Sequence, residues 1–281
     1  MNPIGIMQGR LSPPSGGRIQ SFPVETWRLE FARAQAAGLA CIEWIYEAGS
    51  DAFNPLGTET GRADMTQLCA QTGVAIWSVC ADYYMTEPLV GPNGAPQPHN
   101  IEHLQWLLAQ AGTLGIKYFV LPFVDASSLK SLPDYSSLLT VLHTVVPIAE
   151  RTDIELHLET DLPPTRLVEV LQAISHPLVL ANYDIGNSAS LGHDPIEELT
   201  LLGPWLGSVH VKDRLRGGST VPLGTGAADF PTCFRLIQVA HFTGPLILQP
   251  ARQPEFNEVE LAQRNREFVE RQLAMASPEP A

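Results

Sequence analysis

Cysteine is scarce in this 281-residue chain, and the four present, Cys41, Cys69, Cys80 and Cys233, form no CxxC pair. Such spacing argues against a disulfide framework or a cysteine-based zinc site and fits a reduced compartment. Positive charge is scarce too: 17 Lys and Arg stand against 30 Asp and Glu, a formal net charge of −13. A surface of that sign is a poor partner for a phosphate backbone, so nucleic-acid binding is not expected. Apolar runs stop at strand length, well short of the ~20 residues a membrane-spanning helix needs. The opening MNPIGIMQGR lacks the basic-then-apolar layout of a secretion signal. The expectation is a cytoplasmic protein with no membrane span. Familiar catalytic signatures are missing as well. GxSxG does not occur, and PLGTGAADF holds only a GxG, without the third glycine or the strand-turn-helix setting of a dinucleotide fingerprint, so it reads as a loop.

What the chain does have is a large apolar fraction, 44% against 17% charged, enough for a sizeable core. Short β-type runs alternate with longer amphipathic segments from end to end. The pattern predicts strands over 3–7, 41–46, 74–80, 116–122, 154–159, 178–184, 208–213 and 245–249. Helices are predicted over about 24–37, 61–72, 101–114, 135–151, 165–175, 195–202, 231–240 and 257–274, the first two stopped by Gly38 and Gly73. Eight β/α units in about 250 residues make a single-domain α/β protein, a (β/α)8 TIM barrel over 1–275. The tail, 276–281, is expected to be disordered.

Four strands end on a polar residue: Glu159 in IELHLET, Asp184 in LVLANYD, His210 in LGSVHVKD and Gln249 in PLILQ. They are 25, 26 and 39 residues apart, the rhythm of strand ends converging on the catalytic face of a barrel. Alternation along a strand also turns Glu155 and His157 inward with Glu159, Asn182 with Asp184, and Ser208 and Lys212 with His210. Buried polar groups need partners, and two carboxylates beside an imidazole are economically satisfied by one divalent cation. Oxygen-rich donors with a single nitrogen suit Mn²⁺ best, with Mg²⁺, Co²⁺ or Zn²⁺ as alternatives. Gln249 can lend an amide oxygen but neither charge nor basicity. His157 reads as a hydrogen-bonded interior histidine one layer below. Glu43 and Lys212 also face inward, as ion-pair members or as substrate contacts. Arg10, Arg214, Arg216 and Arg252 fall just past strand ends, where they could hold a phosphate or carboxylate or simply be solvated. Trp44, Tyr46, Tyr83 and Tyr84 could flank a sugar ring or pack in the core.

The stretches GIMQGRLSP, IEW, HLE, DIGN, HVKD and PLILQ resemble the xylose-isomerase-like TIM barrels, which include sugar and sugar-phosphate isomerases and epimerases and inosose dehydratases. The resemblance covers nearly the whole chain. It implies that Glu159, Asp184, His210 and Gln249 hold one divalent cation against adjacent oxygens of a ketose, with Glu159 as base. It also makes a homo-oligomer, a dimer or tetramer, plausible. The epimerases usually carry a second glutamate where this chain has Gln249, so Lys212 or a metal-bound water would have to return the proton. The related three-zinc DNA endonucleases are a poor match, because Asn187 stands where they use a ligand histidine.

The leading expectation is a metal-dependent isomerase or epimerase of a small ketose or ketose phosphate, working through a cis-enediolate with Glu159 as base and Lys212 as a second catalytic group. Arg10, Glu43, His157, Arg214 and Arg252 are candidate substrate contacts. The alternatives are a dehydratase of an inosose-like polyol ketone, and a sugar-binding barrel without catalysis.

Overall fold

The computed structural model describes residues 2–14 and 17–276. Along the chain run β1 (Ile4–Met7), α1 (Trp27–Ala36), β2 (Cys41–Ile45), α2 (Glu59–Thr72), β3 (Ala75–Cys80), α3 (Tyr83–Thr86), α4 (Pro98–Gly112) and β4 (Tyr118–Phe123). Next come α5 (Leu132–Thr152), β5 (Glu155–Thr160), α6 (Pro164–Ile174), β6 (Val179–Asp184), α7 (Ile185–Leu191), α8 (Pro195–Leu202) and β7 (Leu206–Val211). The chain finishes with β8 (Asp213–Arg214), β9 (Thr220–Val221), α9 (Phe230–Val239), β10 (Leu246–Leu248) and α10 (Glu258–Ala276). Eight parallel strands close in the order β1-β10-β7-β6-β5-β4-β3-β2, so the expected (β/α)8 barrel is the observed fold. Closure is made where Ile4, Gly5 and Ile6 pair with Leu246, Ile247 and Leu248.

Local chemistry sets the helix starts. Thr58 caps α2 by accepting from the Gly61 amide, Ser131 and Asp134 form a reciprocal capping box on α5, and Asp229 caps α9. Strand alternation sets the layers. Outward side chains such as Ile42, Trp44, Phe119, Leu121, Leu156 and Leu158 meet the helices in one continuous core. Inward, Met7, Cys41, Ile45, Tyr118, Val120 and Ile247 form a separate apolar cluster within the barrel. Buried polar residues, Glu43, Ser78, His157, Asn182, Ser208 and His210, share that interior.

The differences from expectation are local. Strand β7 stops at Val211, because Lys212 leaves the ladder and Asp213–Arg214 turns into a two-stranded ribbon with Thr220–Val221. Strand β10 ends at Leu248, yet the Gln249 amide still donates to the Val211 carbonyl at 2.9 Å, which keeps its side chain at the barrel mouth. Helix α7 was not foreseen. It starts directly from Asp184, whose carboxylate accepts from the Asn187 amide at 2.8 Å, and at seven residues it is too short to show a periodic signature. Helix α10 takes in Ala276; the rest of the expected tail, 277–281, lies outside the described residues. Among the described residues no helix is long and apolar enough to cross a membrane.

Candidate functional site

A cavity of about 480 Å³ opens where the strands end, walled in part by Glu159, Lys212, Arg214 and Gln249. Beside it, ligand atoms of Glu159, Asp184 and His210, all buried, lie within 4.8 Å of one another. His210 Nδ1 is 3.9 Å from Glu159 Oε2 and 3.9 Å from Asp184 Oδ2. On the far side of the ring, Nε2 lies 2.7 Å from Glu43 Oε1, and Ser78 Oγ donates to Glu43 Oε2 at 2.8 Å. A carboxylate oxygen only accepts, so Nε2 carries a proton and Nδ1 is the nitrogen that faces the two carboxylates.

Asn187 ties the centre together. Its side-chain amide nitrogen donates to Glu159 Oε1 at 2.9 Å, while its carbonyl oxygen accepts from Arg214 at 2.9 Å. Lys212 Nζ donates to Asp184 Oδ2 at 3.2 Å. Electrostatics follow from this crowding. Burial pushes the Glu159 carboxyl up to about 7, with His210 and Lys212 pulling against it and Asp184 adding to it. Burial alone would lower the His210 imidazole, but Glu43, Glu159 and Asp184 together raise it to about 9. The centre therefore favours positive charge at its middle, and a divalent cation meets that demand with the same three side chains. The Gln249 amide nitrogen sits 3.1 Å from His210 Nδ1, a contact that needs Nδ1 as acceptor and conflicts with an imidazolium. Half a turn of the amide brings Oε1 round instead, removing the conflict and adding a fourth oxygen or nitrogen donor to the set.

Four expected substrate contacts do not reach the cavity wall. Glu43 and His157 are fully buried. His157 is held by Ser208 Oγ and Glu155 Oε2, both at 2.9 Å, and stacks on Tyr118 with ring centroids 4.4 Å apart. Arg10 is spent on the Ile19 carbonyl and on Gln20, and Arg252 on the carbonyls of Gly9 and Ser12 at 2.6 and 2.5 Å. These two arginines brace the loop after β1. Arg216 lies over Gly192, away from the wall. The aromatics are packing groups: Trp44 meets Phe22, Trp27 and Phe31, and Tyr83 stacks on His103 at 4.1 Å.

Sequence reasoning missed Asn187 as a positioning group, and also Gln20 and Asp82 on the opposite wall. Asp82 accepts from Gln20 Nε2 at 2.8 Å and from Cys80 Sγ at 3.1 Å, and burial raises its carboxyl. Asn187 carried a usable signal, since a residue three places after an N-cap aspartate is positioned by that cap. Gln20 carried none.

Residues 31–272 match the family model for the xylose isomerase-like TIM barrel. The chain belongs to that family. Within it, the L-ribulose-5-phosphate 3-epimerase of Salmonella heidelberg is 24% identical over 288 residues, covering 98% of this chain and 96% of that one. An L-ribulose 3-epimerase structure superposes with a TM-score of 0.77 at 16% identity, over 98% of this chain and 96% of the other. A xylose isomerase-like TIM barrel protein from Mycobacterium smegmatis, solved in complex with magnesium, gives a TM-score of 0.71 at 19% identity, over 98% and 97% of the two chains.

Proposed function

We propose that the protein is a metal-dependent sugar epimerase or isomerase acting on a small ketose. The observation that carries this reading is the convergence of two buried carboxylates on an imidazole whose outward nitrogen is fixed by Glu43, at the rim of a sugar-sized cavity. The epimerase relatives support it, and they do not favour dehydration or a binding-only role.

Glu159, Asp184 and His210 would hold the cation, Mn²⁺ by donor chemistry and Mg²⁺, Co²⁺ or Zn²⁺ as alternatives, with Gln249 beside them. Bound there, it supplies Lewis-acid polarisation of a carbonyl and the neighbouring hydroxyl. Glu159 removes the proton from the carbon next to the carbonyl. Asn187 fixes Glu159 Oε1 and so sets the direction of approach. Asp184 is held by the Asn187 backbone amide and by Lys212. Inverting a carbon needs a proton returned from the other face, and Gln249 cannot give one. Lys212, which lines the cavity, is the group assigned to that return.

The test is proton NMR of a ketose panel in D₂O with Mn²⁺-loaded protein and with Glu159→Gln. The native protein should wash out one carbon-bound proton signal, and the variant, still folded by circular dichroism, should be slower by about 10²–10⁴-fold. Undiminished exchange in Glu159→Gln would remove it as the base. Appearance of an absorbing enone would instead identify a dehydratase.

A further inference from the structure

One carboxylate on the cavity wall, Asp82, takes no part in the cation centre. It stands immediately before α3, at the N-cap position, where an aspartate ordinarily accepts from an amide of the first turn. Here the side chain makes no such bond. It is half-buried on the cavity wall, where Oδ2 accepts from Gln20 Nε2 at 2.8 Å and Oδ1 from the Cys80 thiol at 3.1 Å.

The pair is held from behind. Arg10, buried and fixed on the Ile19 carbonyl, donates through Nη2 to Gln20 Oε1 at 3.3 Å. That contact orients the Gln20 amide, so its nitrogen is the end that reaches Asp82. Donors and acceptors therefore run one way, from guanidinium through amide to carboxylate, and end on an acceptor at the cavity. Each Asp82 oxygen accepts once from the protein and keeps a second lone pair. Burial raises this carboxyl, and among the described residues both of its hydrogen-bond donors are neutral. A further donor stabilises such a group, and an O–H bond to a carboxylate is among the strong ones.

Position in the barrel supplies that donor. In the closed order β1-β10-β7-β6-β5-β4-β3-β2, the loop after β1 lies four places from β5, and the loop after β3 lies four places from β7. Gln20 and Asp82 therefore face Glu159 and Lys212 across the cavity that all four line. A ketose whose carbonyl and neighbouring hydroxyl lie at the cation centre extends its other hydroxyls over that gap. Two adjacent oxygens on one ion do not fix its orientation, and a third contact does.

We propose that Asp82 selects the substrate by one hydroxyl remote from the carbonyl, accepting it on the wall opposite the cation centre, with Gln20 holding the carboxylate in place. This assignment rests on the epimerase or isomerase reading above. The test takes the ketose exchanged fastest in the D₂O panel, and analogues that each lack one hydroxyl beyond the carbons flanking the carbonyl. Full-length Mn²⁺-loaded native protein is compared with Asp82→Ala and Gln20→Ala. Exchange rates give kcat/KM, and saturation-transfer NMR gives binding independently. In the native protein one analogue should lose about 10–100-fold in kcat/KM, the scale of a hydrogen bond to a charged group. Asp82→Ala should lose as much on the intact ketose and nothing more on that analogue, so the two changes are not additive. Gln20→Ala should shrink the same penalty, and it carries the test if Asp82→Ala does not fold by circular dichroism. Mn²⁺ affinity of the variants should match the native protein's, because neither residue touches the centre. No penalty in the native protein, penalties undiminished in the variants, or a metal affinity that falls with turnover overturns this assignment and leaves the epimerase reading standing. Neither exchange nor binding with any ketose overturns both.

Discussion

The two walls of the barrel mouth are built differently. On the β5–β7 side, the side chains of the candidate site stand on strands or on the first turn beyond them: Glu159 on β5, Asp184 on β6, His210 on β7, and Asn187 on the first turn of α7. On the β1–β3 side, polar groups come from loops, Gln20 and Asp82, and the ionisable side chains Arg10, Glu30 and Arg252 are turned into the protein to hold the loop after β1. A strand fixes the direction of each side chain, so chemistry placed there is rigid. A loop has to be fixed first, and this chain spends buried charge to do it.

If the first wall carries the chemistry and the second carries the frame, substitutions should separate them, and their effects on turnover should fall in the following order. Glu43→Gln removes the charge behind His210 while keeping an acceptor for Nε2. Mn²⁺ affinity by calorimetric titration should fall by about 10–100-fold, the usual cost of losing a partner behind a ligand, and turnover at limiting metal should fall with it. Affinity equal to the native protein's would show that Glu43 does not orient the ring. Asn187→Ala frees Glu159 Oε1 and unpairs Arg214. Here kcat should drop by about 10-fold with KM less affected, since what is lost is aim rather than binding. Equal changes in both constants would mean that Asn187 touches substrate.

Arg252→Ala belongs to the other wall. It deletes two charged hydrogen bonds to the carbonyls of Gly9 and Ser12. Urea melts should show a loss of about 1.5–3 kcal/mol, with kcat per folded molecule little changed. A collapse of kcat at full stability would return Arg252 to the substrate-contact role that its sequence position suggested.

The same contrast explains what could be read from the sequence. Period-two alternation placed Glu159, Asp184 and His210 on the interior face at the ends of β5, β6 and β7, because a strand leaves each side chain only two directions. Alternation also placed His157 inside, where the structure finds it stacked on Tyr118. It could not show that Glu43 sits behind His210, since that contact depends on which strands meet across the barrel; the two residues are 167 positions apart. The arginines after strand ends were the least legible. Their partners are backbone carbonyls of loops, and a carbonyl has no signature in sequence. Asp213 was hidden likewise: HVKD shows a polar strand end, but not that the aspartate turns back to fill a glycine loop of its own chain.

The smallest effect on turnover, and the sharpest test of the frame, is expected at Glu30. It sits on α1, fully buried, with both carboxyl oxygens accepting from the Gly9 amide at 3.0 and 3.1 Å. Burial pushes it up to about 7 from an ordinary 4.5, against the hydrogen bonds from Gly9, Ser12 and Leu11 and the charge of Arg252. The folded protein thus holds this proton at pH values where the unfolded chain has released it. Protons bound by the unfolded state are then fewer than those bound by the native state, so stability falls as pH rises from about 4.5 to 7 and stays lower above. The full span of that loss is about 3 kcal/mol at 1.36 kcal/mol per unit of pKa. Glu30→Gln keeps an acceptor for the Gly9 amide and carries no charge, so its contribution no longer depends on pH. Urea melts at pH 5 and pH 8 should therefore show a drop for the native protein that exceeds the variant's by up to that amount, while exchange kinetics at pH 8 stay alike. Parallel pH dependence in the two proteins would mean that Glu30 is ionised in the fold throughout, and that the loop after β1 is held by an ion pair with Arg252 across the gap rather than by a neutral carboxyl on a backbone amide.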